Sequence, residues 1–410
     1  MANTTTQGTD ERQERGKLLA RDRRIKLVSG ATWSVPSQQN AGAYMVNMLA
    51  ATCSCPDYEI RRRKCKHIWA VEMVKTVETA PDGTQVVTES VKVTRKTYTQ
   101  DWPAYNAAQC EEKETVQKLL RGLCDGIQNA PHPGRGRKPI ALSDAAYAMT
   151  MKVYVTVSGR RATTDIQACA DDGHISRAPS YNAIFDYFDK PEMTPVLTKL
   201  IEQSAAPLAS VETAFAIDST GFGTAVYRRW YDAKYGREMK EHAWLKAHAM
   251  VGTTTNVVTS VTVTDSTAHD SPELPALVAT TGQRFRMAEV SADKAYLSNA
   301  NLTAIETAGA VPYVPFKSNS KGKGSAAWRH MWATFLYKQD EFLAHYHKRS
   351  NSESTFSGIK RKFGPAVRSK NLTAQVNEVL CKILCWNLSC LVHAMHELGI
   401  EPSFGGAAVS

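Results

Sequence analysis

The pattern of strands and helices after residue 211 constrains the fold of this chain more than any other feature. Three apolar segments predict strands at residues 215–217, 244–251 and 257–263. Helices and strands then alternate, with helices predicted at 271–279, 297–308, 341–363 and 372–398 and strands at 287–290 and 311–316. This order predicts an α/β domain over residues 211–398, in which a mixed sheet is flanked by helices.

Two aspartates follow predicted strands of this region, and a glutamate lies on a later helix. The first strand ends at Asp218, after which Ser219-Thr220-Gly221 predicts a turn, and Asp293 follows the fourth strand. Adjacent strand ends and one helix face can bring Asp218, Asp293 and Glu353 together. Phosphodiester cleavage by two divalent cations, about 3.5 to 4 Å apart, needs such a carboxylate cluster. We therefore predict a catalytic site for two Mg²⁺ or Mn²⁺ ions.

The predicted helix that carries Glu353 has a stripe of functional side chains. Tyr346, Arg349, Glu353 and Lys360 are spaced by three, four and seven residues, which places them on one face. Arginine suits bidentate contact with phosphate, and lysine acts as a point charge. The alternative is a solvated face with pairs of charges one turn apart. For an isolated aspartate after a strand, the alternative is a turn residue or a helix cap.

These residues carry a family resemblance over residues 211–395. The stripe matches the tyrosine–arginine–glutamate–lysine signature of the DDE transposases of bacterial insertion sequences. The segments 215–220 and 292–296 resemble the family's motifs around its two aspartates. Residues 269–271 and 314–317 are similar to its turn before the first helix and to its fifth strand.

The resemblance implies an RNase H-like fold with metal binding by Asp218, Asp293 and Glu353. It also implies that Arg349 and Lys360 hold DNA phosphates and that Tyr346 contacts the same strand. The implied activity cleaves double-stranded DNA at transposon ends and joins the freed 3′-hydroxyl to target DNA, as a dimer or higher multimer on DNA. Only about 60 residues separate Asp293 from Glu353, which leaves little room for the large inserted β-domain of some relatives. The resemblance therefore does not decide between a base-flipping, hairpin-forming cleavage route and another route.

A second motif lies near the amino terminus. It consists of a Cys-x-Cys pair, Cys53 and Cys55, and a Cys-x-His pair, Cys65 and His67. Three thiolates and an imidazole suffice for one structural Zn²⁺. The pattern resembles a SWIM-type zinc finger over residues 40–75, and its partner is either DNA or protein. The alternative is a set of buried thiols beside a charged loop.

Charge and composition agree with a nucleic-acid partner. Lys and Arg outnumber Asp and Glu by 50 to 40, a net charge of +10, and such a surplus favours polyanions. We find no signal-peptide pattern and no apolar run long enough for a membrane span. We expect a soluble cytoplasmic protein that associates with the nucleoid and not with a membrane.

The rest of the sequence predicts the domain boundaries. We expect a disordered or solvated segment at 1–30, the zinc unit at 31–78, a linker with one helix at 79–141, a helical domain at 142–205 and a flexible end at 399–410. The helical domain is either a DNA-binding region or a spacer. Arg135, Arg137 and Lys138 belong to a Gly/Pro-rich basic run, which is either a DNA-contacting arm or a hinge.

Two other activities fit the same sequence. One is a non-catalytic DNA-binding regulator derived from a transposase, against which the intact acidic triad argues. The other is an RNase H-like nuclease that cuts DNA without joining the cut end to a target.

Overall fold

The structure is a computed structural model, and it describes residues 11–20, 25–38, 42–74, 77–79, 85–87, 101–129, 134, 139–224, 234 and 244–404. The chain divides into two compact units, Met1–Thr99 and Gln100–Ser410. The basic residues Arg135, Arg137 and Lys138 lie outside the described residues, so their predicted DNA contact stays a prediction.

The first unit is a small antiparallel sheet covered by helices. Its elements are α1 (Glu11–Leu19), β1 (Lys26–Ser29), β2 (Thr32–Pro36), β3 (Ala43–Asn47), β4 (Thr52–Cys53), α2 (Pro56–Arg61), α3 (Lys66–Val74), β5 (Val77–Thr79) and β6 (Gln85–Val87). The sheet order is β1-β2-β3-β4, and β5 and β6 form a separate hairpin. Leu19 of α1 is buried with Val35, Val46 and Ile68. The packed unit therefore includes residues that precede position 31.

Five helices open the second unit. They are α4 (Trp102–Cys124), α5 (Leu142–Tyr154), α6 (Thr163–Asp171), α7 (Tyr181–Phe188) and α8 (Met193–Ala205). Local sequence fixes two of their starts, because side-chain oxygens of Asp101 and Ser180 accept first-turn N–H groups of α4 and α7.

A five-stranded mixed sheet follows. Its strands are β7 (Ala214–Gly223), β8 (Trp244–Gly252), β9 (Val258–Asp265), β10 (Glu289–Ala292) and β11 (Val311–Tyr313), in the order β11-β10-β7-β8-β9. The first three strands are antiparallel neighbours, whereas β10 is parallel to both β7 and β11. This is the order of an RNase H-like fold, and the predicted fold class is confirmed.

Helices flank this sheet. They are α9 (Leu274–Gly282), α10 (Asn299–Thr307), α11 (Ala326–Tyr337), α12 (Gln339–Tyr346), α13 (Ser350–Phe363) and α14 (Leu372–Leu398). Two sequence predictions were wrong here. The helix predicted over 341–363 is interrupted by a 3-10 turn at His347–Arg349, and α11 was not predicted at all.

The predicted turn after Asp218 was also wrong. Strand β7 continues to Gly223 because each of its residues from Phe215 onward pairs with β8, ending at Gly223 opposite Trp244. A long-range antiparallel partner thus keeps a polar, glycine-containing segment extended. Asp218 consequently lies within the strand, not at its end.

The long helix α14 lies at the centre of the second unit. It packs on α4, α5, α7 and α8 and on the sheet, and one continuous apolar core includes all of these elements. The predicted boundaries around residues 142 and 205 stay predictions, although no separate core lies on either side of them among the described residues. By length and composition α14 could cross a membrane, which the sequence analysis did not anticipate, but 78% of its apolar window is buried inside the fold.

Asn387 of α14 holds this centre together. Its buried amide accepts from the N–H of Val258 and donates to the carbonyls of Ile201 and Val258 and to Ser204 Oγ. One side chain therefore links α14 to α8 and β9.

We expect Asn387→Ala to lower the free energy of unfolding by about 2–4 kcal/mol, because it leaves several buried polar groups without partners. Urea unfolding of the full chain measures this loss. The control is Asn182→Ala, at an exposed position of α7, which should change stability by less than about 0.5 kcal/mol. Equal effects of the two variants would contradict the role of Asn387.

Candidate active site

Two of the predicted acidic residues lie at adjacent positions of the sheet. In the parallel pairing of β7 with β10, Ile217 is opposite Ala292, so Asp218 is the next residue of β7 and Asp293 directly follows the end of β10. Asp218 is partly buried, with 19% of its side chain exposed. Burial raises the pKa of Asp218, although the N–H of Ser219 and the Arg349 guanidinium act in the opposite direction.

The guanidinium of Arg349 connects this edge of the sheet to Glu353. Arg349 Nη1 lies 2.8 Å from Asp218 Oδ2, and Nη2 lies 2.5 Å from Glu353 Oε1. The hydroxyl of Ser352 also donates to Asp218 Oδ2, at 3.2 Å. The 3-10 turn before α13 and the first turn of that helix therefore bring Arg349 and Ser352 to Asp218 and place Glu353 on the same guanidinium.

The buried side chain of Tyr296 lies near both predicted aspartates. Its hydroxyl has no solvent-accessible surface. Burial raises the pKa of Tyr296, and the negative charges of Asp270, Asp218 and Asp293 raise it further. Both predicted aspartates are therefore close enough to act electrostatically on one phenol.

The three carboxylates suit hard divalent cations. They offer oxygen ligands, which Mg²⁺ prefers. In this structure they are not drawn together as a ligand set, because among the described residues only the cysteine and histidine group of the first unit brings its ligand atoms within 4.8 Å. In this structure the guanidinium of Arg349 provides the positive charge between Asp218 and Glu353. Divalent cations bound at this edge would neutralise Asp218 and Glu353 in place of Arg349. The guanidinium would then be available for another anion.

The other two residues of the predicted stripe lie in different surroundings. Tyr346 ends α12, before the 3-10 turn, and its half-buried ring stacks near Phe342 with 6.4 Å between centroids. Lys360 lies in the last turns of α13, with its amine 5.5 Å from the ring centre of Phe222 in β7. Burial lowers the pKa of Lys360.

Sequence reasoning missed a clamp that fixes the segment before α13. The buried carboxylate of Glu289, at the start of β10, accepts from both His345 and Lys348. The His345 ring also stacks on Tyr313 of β11, with centroids 4.5 Å apart and planes 6° apart. The sequence pattern that could have predicted this clamp is a glutamate in an apolar strand, together with two basic residues three positions apart.

A second polar group missed from the sequence lies near Tyr296. Lys246 Nζ is 2.6 Å from Asp270 Oδ1, and His248 Nδ1 is 3.3 Å from the same oxygen. Burial lowers the pKa of His248, whose Nε2 is 2.9 Å from Thr264 Oγ1. The residue pattern predicted a family turn at 269–271 but not this charge cluster.

The zinc ligands predicted in the first unit also meet. Cys53 ends β4, Cys55 caps α2, Cys65 precedes α3 and His67 lies in its first turn. Their ligand atoms all lie within 4.8 Å of one another. His67 Nδ1 is 3.8 Å from the sulfurs of both Cys53 and Cys65. Around tetrahedral zinc, with Zn–S of about 2.3 Å and Zn–N of about 2.0 Å, neighbouring ligand atoms lie about 3.5–3.8 Å apart.

The protonation of this group also suits a cation. The pKa of Cys65 is lowered to about 3, because hydrogen bonds from Cys53 and His67 stabilise the thiolate against the effect of burial. The Cys65 thiolate in turn raises the pKa of Cys53, together with burial. The residues therefore fit a structural zinc ion.

The sheet order is that of the RNase H-like fold class predicted from the sequence. Residues 209–388 match the family model of the transposase DDE domain, and residues 40–75 match that of the SWIM zinc finger. The chain thus carries a DDE transposase domain and an amino-terminal SWIM finger, as the sequence predicted. The first match supports a transposase function acting on DNA, and the second supports structural zinc. No curated protein and no solved structure matches the chain significantly.

We expect Cys65→Ser to lose zinc and to unfold the first unit, because the remaining ligands cannot complete a tetrahedral site. Elemental analysis should find one zinc ion per wild-type chain and none in the variant, while circular dichroism retains the signal of the second unit. Cys110→Ser, at an exposed cysteine of α4, should keep its zinc. A zinc-free wild-type protein with an ordered first unit would contradict the assignment.

We also expect Glu289→Ala to loosen the segment before α13 without unfolding the protein. Loss of the clamp should cost about 1 kcal/mol, since His345 and Lys348 are partly solvated. Amide hydrogen exchange over residues 345–353 should accelerate about fivefold. Glu341→Ala, which removes an exposed glutamate paired with Lys338, should leave exchange in that segment unchanged; a similar acceleration would argue against the clamp.

Proposed function

We propose that this protein is a DNA transposase that binds transposon ends, hydrolyses a phosphodiester there and joins the freed 3′-hydroxyl to target DNA. One observation carries the proposal. Arg349 contacts both Asp218 and Glu353, while the strand register makes Asp293 the neighbour of Asp218. These contacts support a shared role for three acids that are far apart in sequence.

Asp218, Asp293 and Glu353 are the residues that would hold two Mg²⁺ or Mn²⁺ ions. Such ions supply an activated water and stabilise charge on the phosphate oxygens. Ser352 keeps Asp218 oriented through its hydrogen bond. Arg349, once its carboxylate partners are neutralised, turns its planar donors to a phosphate of the bound strand.

The remaining residues of the stripe hold DNA in this proposal. Lys360 offers a cation that is not engaged by a carboxylate within the described residues. Tyr346 contacts the same strand. No covalent protein–DNA intermediate is needed, because water attacks first and the freed 3′-hydroxyl attacks second. The zinc finger and the basic run at Arg135, Arg137 and Lys138 extend the contact with the ends, and the active form is a dimer or higher multimer on DNA.

Substitution of the acids tests the chemistry. Glu353→Gln and Asp218→Asn should each lower cleavage of a supercoiled plasmid carrying the element's ends by roughly a thousandfold or more, because a metal ligand worth several kcal/mol is lost. DNA affinity in a gel-shift assay should fall by no more than about threefold, since neither acid binds phosphate directly. Glu341→Gln is the matched control and should cleave normally.

The products of this assay separate the proposal from its rivals. Wild-type protein that shifts the DNA but never nicks it with Mg²⁺ or Mn²⁺ would be a regulator. Cutting without transfer of the cut end to a second plasmid would indicate a nuclease. Only joined products, lost in Glu353→Gln and kept in Glu341→Gln, support a transposase.

A further inference from the structure

A pocket of about 450 Å³ opens between α5, α7 and the amino terminus of α14. Its lining includes Lys152, Phe185, Phe188, Arg368, Lys370 and Asn371. None of its lining residues belongs to β7, β10 or α13, so the pocket is separate from the acidic edge of the sheet. Its lining is aromatic and cationic, and Asp189 is the acid among the residues that form it.

The most unusual group in the pocket is the amine of Lys152. The residue is only 6% exposed. Among the residues that the structure describes, its amine makes no hydrogen bond or ion pair and lies 5.8 and 5.7 Å from the ring centres of Phe185 and Phe188. Burial lowers the pKa of Lys152. The carboxylate of Glu378 favours the charged amine, but no acid is paired with it among the described residues, and a buried ammonium without an ion pair is costly.

The nearby acids are already occupied. Glu378 accepts from the backbone N–H groups of Arg368 and Ser369 and from the Ser369 hydroxyl. The carboxylate of Asp189 accepts from the side-chain amide of Asn371. A second buried cation, Lys382, donates to the carbonyls of Gly364 and Ala366 and adds to the positive charge nearby. The pocket lining holds Lys152, Arg368 and Lys370 against one acid, Asp189, so the pocket keeps a net positive charge.

The amino terminus of α14 adds to this positive potential. The helix has 27 residues, and its N-cap residue Asn371 makes no capping hydrogen bond because its amide faces Asp189. First-turn N–H groups of a long helix attract anions, and phosphate most of all. Ala374, in that first turn, lines the pocket, and the exposed Arg368 and Lys370 lie on its rim.

An aromatic wall completes the pocket. Phe185 is 40% exposed, and its ring packs edge-on to Tyr181 with centroids 6.3 Å apart. A Cβ on Gly159 would lie 2.5 Å from the Phe185 ring, so only glycine allows the ring this position. The guanidinium of Arg160 lies 5.6 Å from the Tyr181 ring centre. Exposed aromatic rings beside cations are typical of sites for unpaired nucleotides.

We propose that this pocket binds a phosphate group of a DNA strand, with Lys152 and the first turn of α14 contacting the phosphate and Phe185 contacting the adjoining nucleoside. The inference rests on the proposed function in one respect, namely that DNA is the source of the phosphate. It adds a second DNA contact, remote in sequence from the catalytic acids. A pocket of this volume accommodates about one nucleotide.

The test measures binding of full-length protein to a fluorescein-labelled duplex with a single-stranded overhang, by anisotropy in buffer without Mg²⁺ or Mn²⁺. Lys152→Met should weaken binding about tenfold and lower the slope of log Kd against log salt by about one. Lys118→Met, which removes an exposed lysine of α4 paired with Glu114, should stay within about twofold of wild type. Methionine fills the same space without charge, so the variant should melt no lower than wild type.

A second arm distinguishes the source of the phosphate. Inorganic phosphate and thymidine monophosphate should raise the melting temperature of wild-type protein but not of Lys152→Met. Unchanged DNA affinity in folded Lys152→Met would overturn the proposal, whether or not a free nucleotide still stabilises the protein. If Lys152→Met does not fold, the exposed variant Arg368→Gln carries the test, with an expected severalfold loss of affinity; no loss overturns the proposal.

The results of this binding test can be distinguished from the results that test the proposed function. Asp218→Asn should not weaken binding of the labelled DNA, since the assay involves no cleavage and the substitution releases Arg349 from an ion pair. Protein that binds DNA through Lys152 but never cleaves it refutes the transposase activity and keeps this site. A Lys152→Met variant that binds, cleaves and joins DNA as well as the wild-type protein refutes this site alone.

Discussion

The parallel pairing of β7 with β10 is the constraint on which the candidate site depends. Because Ile217 is opposite Ala292, Asp218 and Asp293 become neighbours although 75 positions separate them in the sequence. A shift of the register by one residue would turn one of the two side chains to the other face of the sheet. The apolar residues on both sides of the pairing prevent that shift, since Phe215, Ile217, Val290 and Ala292 are all fully buried.

The third acid reaches this edge by a different route. Glu353 lies on α13, and nothing in strand pairing determines where that helix starts. Its position follows from the contacts of the preceding segment, in which Glu289 of β10 accepts from His345 and Lys348. The same strand therefore leads directly into Asp293 at one end and anchors the Glu353 segment at the other. Arg349 then neutralises Asp218 and Glu353 together, which lowers the cost of placing like charges close to each other.

Local signals predicted much of this arrangement, and long-range contacts explain the rest. Helix α14 was predicted at its observed limits, because an apolar periodic run ends at Gly399, whose φ of +65° suits a helix end. The continuation of β7 past Asp218 was not predictable, since Ser219-Thr220-Gly221 is extended only by pairing with β8. The break before α13 and the contact of Ser352 with Asp218 also depend on residues distant in sequence. The position of Lys152 beside two rings of α7 could not be predicted, because it produces no periodic pattern in the sequence.

The cations named at the two proposed DNA contacts are held in two ways that differ in the cost of release. Arg349 and Lys348 are bound to carboxylates, so either must lose an ion pair before it can bind phosphate. Lys152 and Lys360 instead lie near aromatic rings, and burial lowers the pKa of both. A cation–π contact can persist while the amine binds an anion, and the anion relieves the cost of burial. Lysines of the second kind are therefore ready for a phosphate before any metal binds, whereas Arg349 becomes available only when its acids gain another counter-charge. In the proposed reaction this difference orders the events: DNA is held first, and the guanidinium joins it once the acidic edge carries its cations.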